Sequence, residues 1–255
     1  MGGLVGRRVL LTRPRGQGEK LAQAVEAAGG HLLWIPVLEV VPLPPGEGER
    51  EILAALSGYD WCAFTSANAV RGFLDWVEGA GLRWPLRLRV AAVGPATVRA
   101  LEARGRAADL VPETHTGKAL ADLMVARLRP GRILLPGGDL AQQELPERLA
   151  AAGWETTRLV CYANRPVRLT AGDLYAIEQG LDAAVFASPS AVQALWSQVP
   201  ESGRNVLRAA ACVPIGPTTA EALRAVGLTV AALPPSATAE GVLAALEEAL
   251  AGRPR

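Results

Sequence analysis

The chain has 255 residues, half of them apolar, with a formal net charge of +1. That length suits one large or two ordinary α/β domains, at the usual ~100–200 residues per domain. The charge balance argues against a general nucleic-acid binder, and no run of ~18 apolar residues predicts a membrane span.

In chain order, an apolar strand over 9–12 leads into a helix stopped by Gly29, and a second strand covers 32–41. Pro42, Pro44, Pro45 and Gly46 read as a connector. A short buried strand over 61–65 opens a helix in which Val70, Phe73, Leu74 and Val77 share one face. A strand–turn–helix unit around Gly94-Pro95 comes next. A last strand ends at Pro112, and an amphipathic helix closes the half.

The second half repeats the series. Strand 133–136, the stop at Gly153, strand 156–162 and a connector from Asn164 to Pro166 come first. Strand 183–187, a helix with Val192, Leu195, Trp196 and Val199, the Gly216-Pro217 unit, a strand ending at Pro234 and a final helix follow. The repeat is visible residue by residue. With Phe64 over Phe186, an offset of 122, Ser66 meets Ser188, Val70 meets Val192, Gly94-Pro95 meets Gly216-Pro217, and Thr97 meets Thr219. At an offset of 124, Val9 meets Ile133, Leu21 meets Leu145 and Gly29 meets Gly153. Short apolar strands alternating with helices indicate parallel sheets covered on both faces. The expected fold is therefore α/β: two doubly wound, flavodoxin-like domains from an internal duplication.

In open parallel sheets, ligands sit beyond the carboxyl ends of the strands. Those ends carry Thr12 and Arg13; Ser66, Ala67 and Asn68; Gly94 and Thr97; Gly137 and Gly138; Ser188, Pro189 and Ser190; Gly216, Thr218 and Thr219. Nearly all are expected to open a helix, where free N–H groups and the helix dipole attract anions. Each turn alone is an ordinary helix cap. Matched turns in both halves suit a large ligand carrying several carboxylates or phosphates.

Other chemistries find no footing. Cys62, Cys161 and Cys212 lie in apolar runs without C-x-x-C spacing and read as buried thiols in a reducing compartment. His31 and His115 are the only histidines, too few for a His-based metal site. No G-x-G-x-x-G opens a βαβ unit, no P-loop is complete, and no G-x-S-x-G elbow exists. Residues 1–8 lack the apolar core of a secretory signal, so a cytoplasmic protein is expected. No heptad stripe stands out, and a monomer is expected.

Tyr162 breaks the internal symmetry, because its counterpart at offset 124 is Leu38. A phenol there either donates a proton or packs as a half-buried aromatic in a connector strand.

Leu11-Thr12-Arg13-Pro14, Phe64-Thr65-Ser66-Ala67-Asn68-Ala69-Val70 and Val93-Gly94…Thr97 in the first half resemble uroporphyrinogen-III synthase. Ser188-Pro189-Ser190-Ala191-Val192 and Ile215-Gly216-Pro217-Thr218-Thr219-Ala220 resemble its second half. The order and spacing of these weak motifs, from Val9 to Leu246, make the likeness specific. The resemblance implies two domains, 1–37 with 168–255 and 43–161, joined by a two-stranded linker of 38–42 and 162–167. It implies hydroxymethylbilane as substrate, loss of water, ring closure with inversion of ring D, and no metal or organic cofactor. The family's candidate acid, a tyrosine on the returning linker, falls on Tyr162. Relatives often carry a cation where this chain has Gly137-Gly138, so a carboxylate contact there is expected from backbone amides or Arg13. Two readings outside this activity remain: a non-catalytic binding protein for a polycarboxylate, and an inactive regulatory domain. The latter predicts an attached DNA-binding module, for which 255 residues leave no expected room.

Overall fold

The computed structural model describes residues 3–253. The chain divides into two compact units, one made of residues up to Glu39 with those from Arg165 onward, the other of Val40–Asn164. The first unit opens with β1 (Arg8–Leu11), α1 (Glu19–Ala27) and β2 (His31–Trp34), and β3 (Leu38–Pro42) spans the division. The second holds α2 (Glu47–Ala54), β4 (Trp61–Phe64), α3 (Ala67–Gly79), β5 (Arg89–Ala92) and α4 (Pro95–Glu102). It continues with α5 (Gly117–Arg127), β6 (Arg132–Gly138) and α6 (Glu144–Ala151), and β7 (Glu155–Pro166) leads back to the first unit. There follow α7 (Ala171–Glu178), β8 (Ala183–Phe186), α8 (Pro189–Trp196), α9 (Glu201–Ala209), β9 (Ala211–Pro214), α10 (Pro217–Ala225) and α11 (Ala239–Leu250).

The first unit's sheet has the order β2-β1-β8-β9, all parallel. The other sheet runs β3-β7-β6-β4-β5, with β7, β6, β4 and β5 mutually parallel. Leaving β3 aside, the two orders correspond strand for strand under the sequence offsets. The alternation of strand residues explains the layering. In the first unit Val9, Leu11, Val185 and Val213 pack under α1 and α11, while Leu10, Ala184, Phe186 and Cys212 face α7, α8 and α10. In the second, Trp61, Ala63, Ile133 and Leu135 face α5 and α6, and Cys62, Phe64 and Leu134 face α2, α3 and α4. Phe64 and Phe186 are fully buried, each contributing about 1.5–3 kcal/mol. The fold is α/β with parallel sheets, and among the described residues no helix is long and apolar enough to cross a membrane.

The amino ends of the central strands carry matching clips. Asp182 accepts the Arg8 N–H at 2.8 Å and returns its own N–H to the Arg8 carbonyl. Asp60 does the same to Arg132, also at 2.8 Å. At the helix ends, Gly29 (φ 82°) and Gly153 (φ 87°) adopt the left-handed conformation expected of stop glycines.

Three sequence expectations need correction. The strand expected over 32–41 is two strands, β2 and β3, in different sheets. Contact with β1 carries on past Pro36, since the Ile35 and Val37 N–H groups donate to the Leu11 and Thr12 carbonyls at 3.0 and 3.3 Å; it stops where β1 itself has ended, and the chain goes on into β3 beside β7. The strands expected to end at Pro112 and Pro234 shrink to single bridges, Ala91 with Leu110 and Cys212 with Val230. Helix α8 stops at Trp196, so Val199 is buried in the loop before Pro200. The stretches expected as a two-stranded linker, 38–42 and 162–167, hold β3 and the end of β7, which are neighbours in the sheet.

Candidate active site

In each sheet the strand order reverses between two central strands, β1 and β8 in one, β6 and β4 in the other. Such switch points open a crevice at the carboxyl ends.

In the second unit, β4 ends at Phe64 and the chain passes through extended Ser66 (φ −152°) into α3. The Ser66 hydroxyl accepts the Ala69 N–H at 3.1 Å, the standard way to satisfy a helix-start donor. Ala67 is the first helical residue, and the Asn68 side-chain oxygen accepts from the Arg71 guanidinium. Strand β5 leads to Gly94, extended and followed by Pro95 at the start of α4. Gly94 makes room for His115: a Cβ on it would stand 3.0 Å from the His115 Cβ.

Gly137 and Gly138 do not open a helix. They are buried at the end of β6, and α6 begins only at Glu144. The register between β6 and β7 shifts between these two glycines, which brings Gly138 opposite Tyr162. The tyrosine ring lies across Gly138, where a Cβ would stand 2.6 Å from Cε2 and 2.7 Å from Cζ. The phenol oxygen then sits 3.2 Å from Ser66 Oγ, at the switch between β6 and β4. Asp139, next along the chain, secures this corner. Its N–H donates to the Tyr162 carbonyl at 3.1 Å and its carboxylate accepts the Asn164 N–H at 3.1 Å.

In the first unit, Thr12 is fully buried and its hydroxyl donates to the Val185 carbonyl at 2.9 Å, tying β1 to β8. Arg13 sits just beyond, its guanidinium donating to the Gln17 carbonyl at 3.0 Å while its carbonyl accepts the Trp34 indole N–H at 2.8 Å. Burial depresses the Arg13 pKa, and its Nε finds no partner among the described residues. Ser188 caps α8 by accepting the Ala191 N–H at 3.2 Å, with Pro189 as first helical residue, and its hydroxyl meets Ser190 Oγ at 2.9 Å. Gly216 is extended ahead of Pro217, repeating Gly94-Pro95, and Thr218 is exposed.

The structure thus brings Ser66, Gly138 and Tyr162 together. It does not present every expected hydroxyl. Thr12, Thr97 and Thr219 are buried, at 0%, 4% and 2% exposure, so their side chains serve the fold and only their backbones lie near the rim. An apolar cavity of about 750 Å³ beside Pro42, Pro44 and Pro45, with Trp76 in its wall, includes none of the expected site residues. Among the described residues, no three His, Cys, Asp or Glu side chains gather as a metal site.

The family model described as uroporphyrinogen-III synthase HemD matches residues 19–244. The uroporphyrinogen-III synthase of Synechococcus elongatus is 26% identical over 253 residues, covering 96% of each chain. The chloroplastic uroporphyrinogen-III synthase of Oryza sativa subsp. japonica is 30% identical over 251 residues, 95% of this chain and 80% of that one. Among solved structures, a mutant uroporphyrinogen III synthase of the extremely thermophilic bacterium Thermus thermophilus superposes with a TM-score of 0.66 at 25% identity, covering 97% of this chain and 100% of that one. The uroporphyrinogen-III synthetase of Helicobacter pylori 26695 shares the fold, with a TM-score of 0.65 at 16% identity over 97% of this chain and 100% of that one. On the family match, the chain belongs to the uroporphyrinogen-III synthase family.

Proposed function

We propose that the chain is a cyclising lyase that converts hydroxymethylbilane into uroporphyrinogen III, with loss of water and inversion of ring D, and that Tyr162 is its general acid. The observation that carries the second part is the phenol oxygen at the carboxyl end of the sheet, 3.2 Å from the hydroxyl that caps α3. Tyr162 gives its proton to the terminal hydroxyl of the substrate as the C–O bond breaks, and the oxygen leaves with the bonding pair as water. The pyrrole nitrogen stabilises the resulting azafulvene cation. The substituted carbon of the last ring attacks, the spiro intermediate fragments, and the chain recloses in the inverted sense. Loss of a proton from carbon restores the aromatic pyrrole and returns the proton to Tyr162.

General acid catalysis contributes ~10²–10⁴-fold, so the larger share of the work is conformational. The enzyme holds two ring ends where the inverted closure is faster than the direct one. The acetate and propionate carboxylates provide the handles. A helix start is worth roughly 0.3–1 kcal/mol to an exposed anion, so several must act together. We assign this role to the starts of α3, α4, α8 and α10, with Ala67, Asn68, Gly94, Ser188, Pro189, Ser190, Gly216 and Thr218, with Ser66 taking part through its backbone alone, and to the cation Arg13. Thr12, Thr97 and Thr219 support those turns from within, and Gly137 and Gly138 shape the floor under Tyr162. The strand-for-strand correspondence of the two sheets supports an internal duplication into two flavodoxin-like domains, with β3 and the end of β7 as a two-stranded linker.

The test is product analysis. Hydroxymethylbilane is generated in situ, the product is oxidised, and the isomers are resolved by chromatography. Isomer III is the expected product. Isomer I alone, from folded protein, would overturn the lyase reading.

A further inference from the structure

We propose that Ser66 is the positioning residue for Tyr162: its hydroxyl holds the phenol and donates a hydrogen bond to the phenolate left by proton transfer. This rests on the reading of Tyr162 as the acid. The inference follows from counting the valences of one hydroxyl. A serine hydroxyl has one proton and two lone pairs. One lone pair of Ser66 is committed to the Ala69 N–H at 3.1 Å, which fixes the oxygen relative to α3. The proton and the other lone pair remain for Tyr162 at 3.2 Å. While the phenol is protonated, either oxygen can be the donor. Once the proton has passed to the leaving hydroxyl, only one direction is left, Ser66 O–H to phenolate oxygen. A hydrogen bond to an ion is about twice as strong as a neutral one. The contact therefore strengthens as charge develops on Tyr162, which is the condition for a catalytic rather than a uniform contribution.

The other unit supplies an internal comparison. Ser188 caps α8 with the same geometry, but its hydroxyl meets Ser190 Oγ at 2.9 Å. The residue matching Ser190 in the second unit is Asn68, whose oxygen is engaged by Arg71. The residue matching Tyr162 in the first unit is Leu38. Both helix starts carry the cap, and only one turns its hydroxyl toward a phenol.

The experiment measures kcat, KM and the pH profile of kcat/KM for the wild type, Ser66→Ala, Ser66→Gly, Ser66→Thr, Tyr162→Phe and the double variant S66A/Y162F. Glycine is an adequate helix cap, so Ser66→Gly removes the hydroxyl even where Ser66→Ala folds poorly. The expected result is a loss of about 10- to 100-fold in kcat for Ser66→Ala and Ser66→Gly, with KM little changed and most activity kept by Ser66→Thr. The alkaline limb of the profile should move upward in both, because the donor that favours the phenolate is gone. Among charged groups on the flanking elements, Arg71 is held by Asn68 and the Asp139 carboxylate by the Asn164 N–H, while burial pushes the adjacent Cys161 up to about 12. In the Y162F background, Ser66→Ala should cost nothing further. An equal further loss in that background, or an unmoved alkaline limb, would overturn the positioning role and return Ser66 to capping or substrate contact. Wild-type activity in Tyr162→Phe alone would instead sink the acid assignment, and this inference with it.

Discussion

Gly138 lies beneath the ring of Tyr162, so close that a methyl group there would stand 2.6 Å from Cε2 and 3.0 Å from the phenol oxygen. Real Cβ atoms do not approach so near, and the ring could yield only by leaving Ser66. Gly138→Ala is therefore expected to lower kcat at least as far as Tyr162→Phe, about 10²–10⁴-fold, with an overpacking cost of about 1–3 kcal/mol. Gly137→Ala meets only the Ala141 Cβ, at 3.2 Å, and should retain far more activity. Steady-state rates and urea midpoints of the two variants check this. Equal activities would show that clearance for the ring is not what the glycine provides.

Much of this arrangement was legible in the chain. Apolar runs such as Trp-Cys-Ala-Phe at β4 can be buried on both faces only inside a parallel sheet, and Ser66 and Ser188 announced their helices by residue type. The clearance at Gly138 was not legible, since it serves a residue on the next strand; a glycine pair after an apolar run reads as a turn. The split between β2 and β3 was not legible either, since it falls where β1 ends and not at a break in the apolar run. Burial of Thr97 and Thr219 did have a signal. Each stands four residues before a buried leucine, Leu101 or Leu223, and so shares its inward face. Which hydroxyl Tyr162 meets depends on strand order and a register shift, and neither is written in local sequence.

Arg13 offers a test of carboxylate binding. Its guanidinium is held at one nitrogen by Gln17 while Nε lacks a partner among the described residues. A substrate carboxylate that meets the remaining edge of the guanidinium gains a charge-assisted contact worth about 1.5–3 kcal/mol. Arg13→Gln is expected to raise KM roughly 10- to 100-fold, while the product remains isomer III. A fall in kcat at unchanged KM would place Arg13 in the chemical step instead of in binding.

The two aspartate clips should differ in cost although their backbone contacts match. Asp60→Ala leaves the Arg132 N–H to water at an exposed strand end, a loss of about 0.5–1.5 kcal/mol. Asp182→Ala removes the same bond to Arg8 and also the 2.7 Å ion pair to Arg7, which is 6% exposed. Arg7 keeps its donation to the Arg253 carbonyl, so the added loss stays below the roughly 3–5 kcal/mol of a fully uncompensated buried cation. Replacing Arg7 by Met as well should recover a good part of it. Urea denaturation of the single variants and the R7M/D182A pair gives the comparison. Equal losses for the two aspartates would mean that the ion pair contributes nothing beyond the clip.

The cysteines set the alkaline limit of stability. All three are free and fully buried. Desolvation pushes Cys62 well up, and Cys161 and Cys212 up to about 12. In the unfolded chain the same thiols ionise near ~8.5. Below that pH both states hold the protons and the thiols contribute no pH dependence. Above it the unfolded state releases protons that the native state keeps, so stability falls as pH rises toward about 12. Each thiol contributes a slope approaching 1.4 kcal/mol per pH unit, to within order of magnitude. The urea midpoint should therefore drop between about pH 8 and pH 10. A variant with Cys62, Cys161 and Cys212 all changed to Ala, less stable at neutral pH because of the small cavities left behind, should show a shallower decline over the same range. Parallel declines would assign the alkaline loss to other groups. In the native state at about pH 8, the thiols should also resist alkylation until the chain is unfolded.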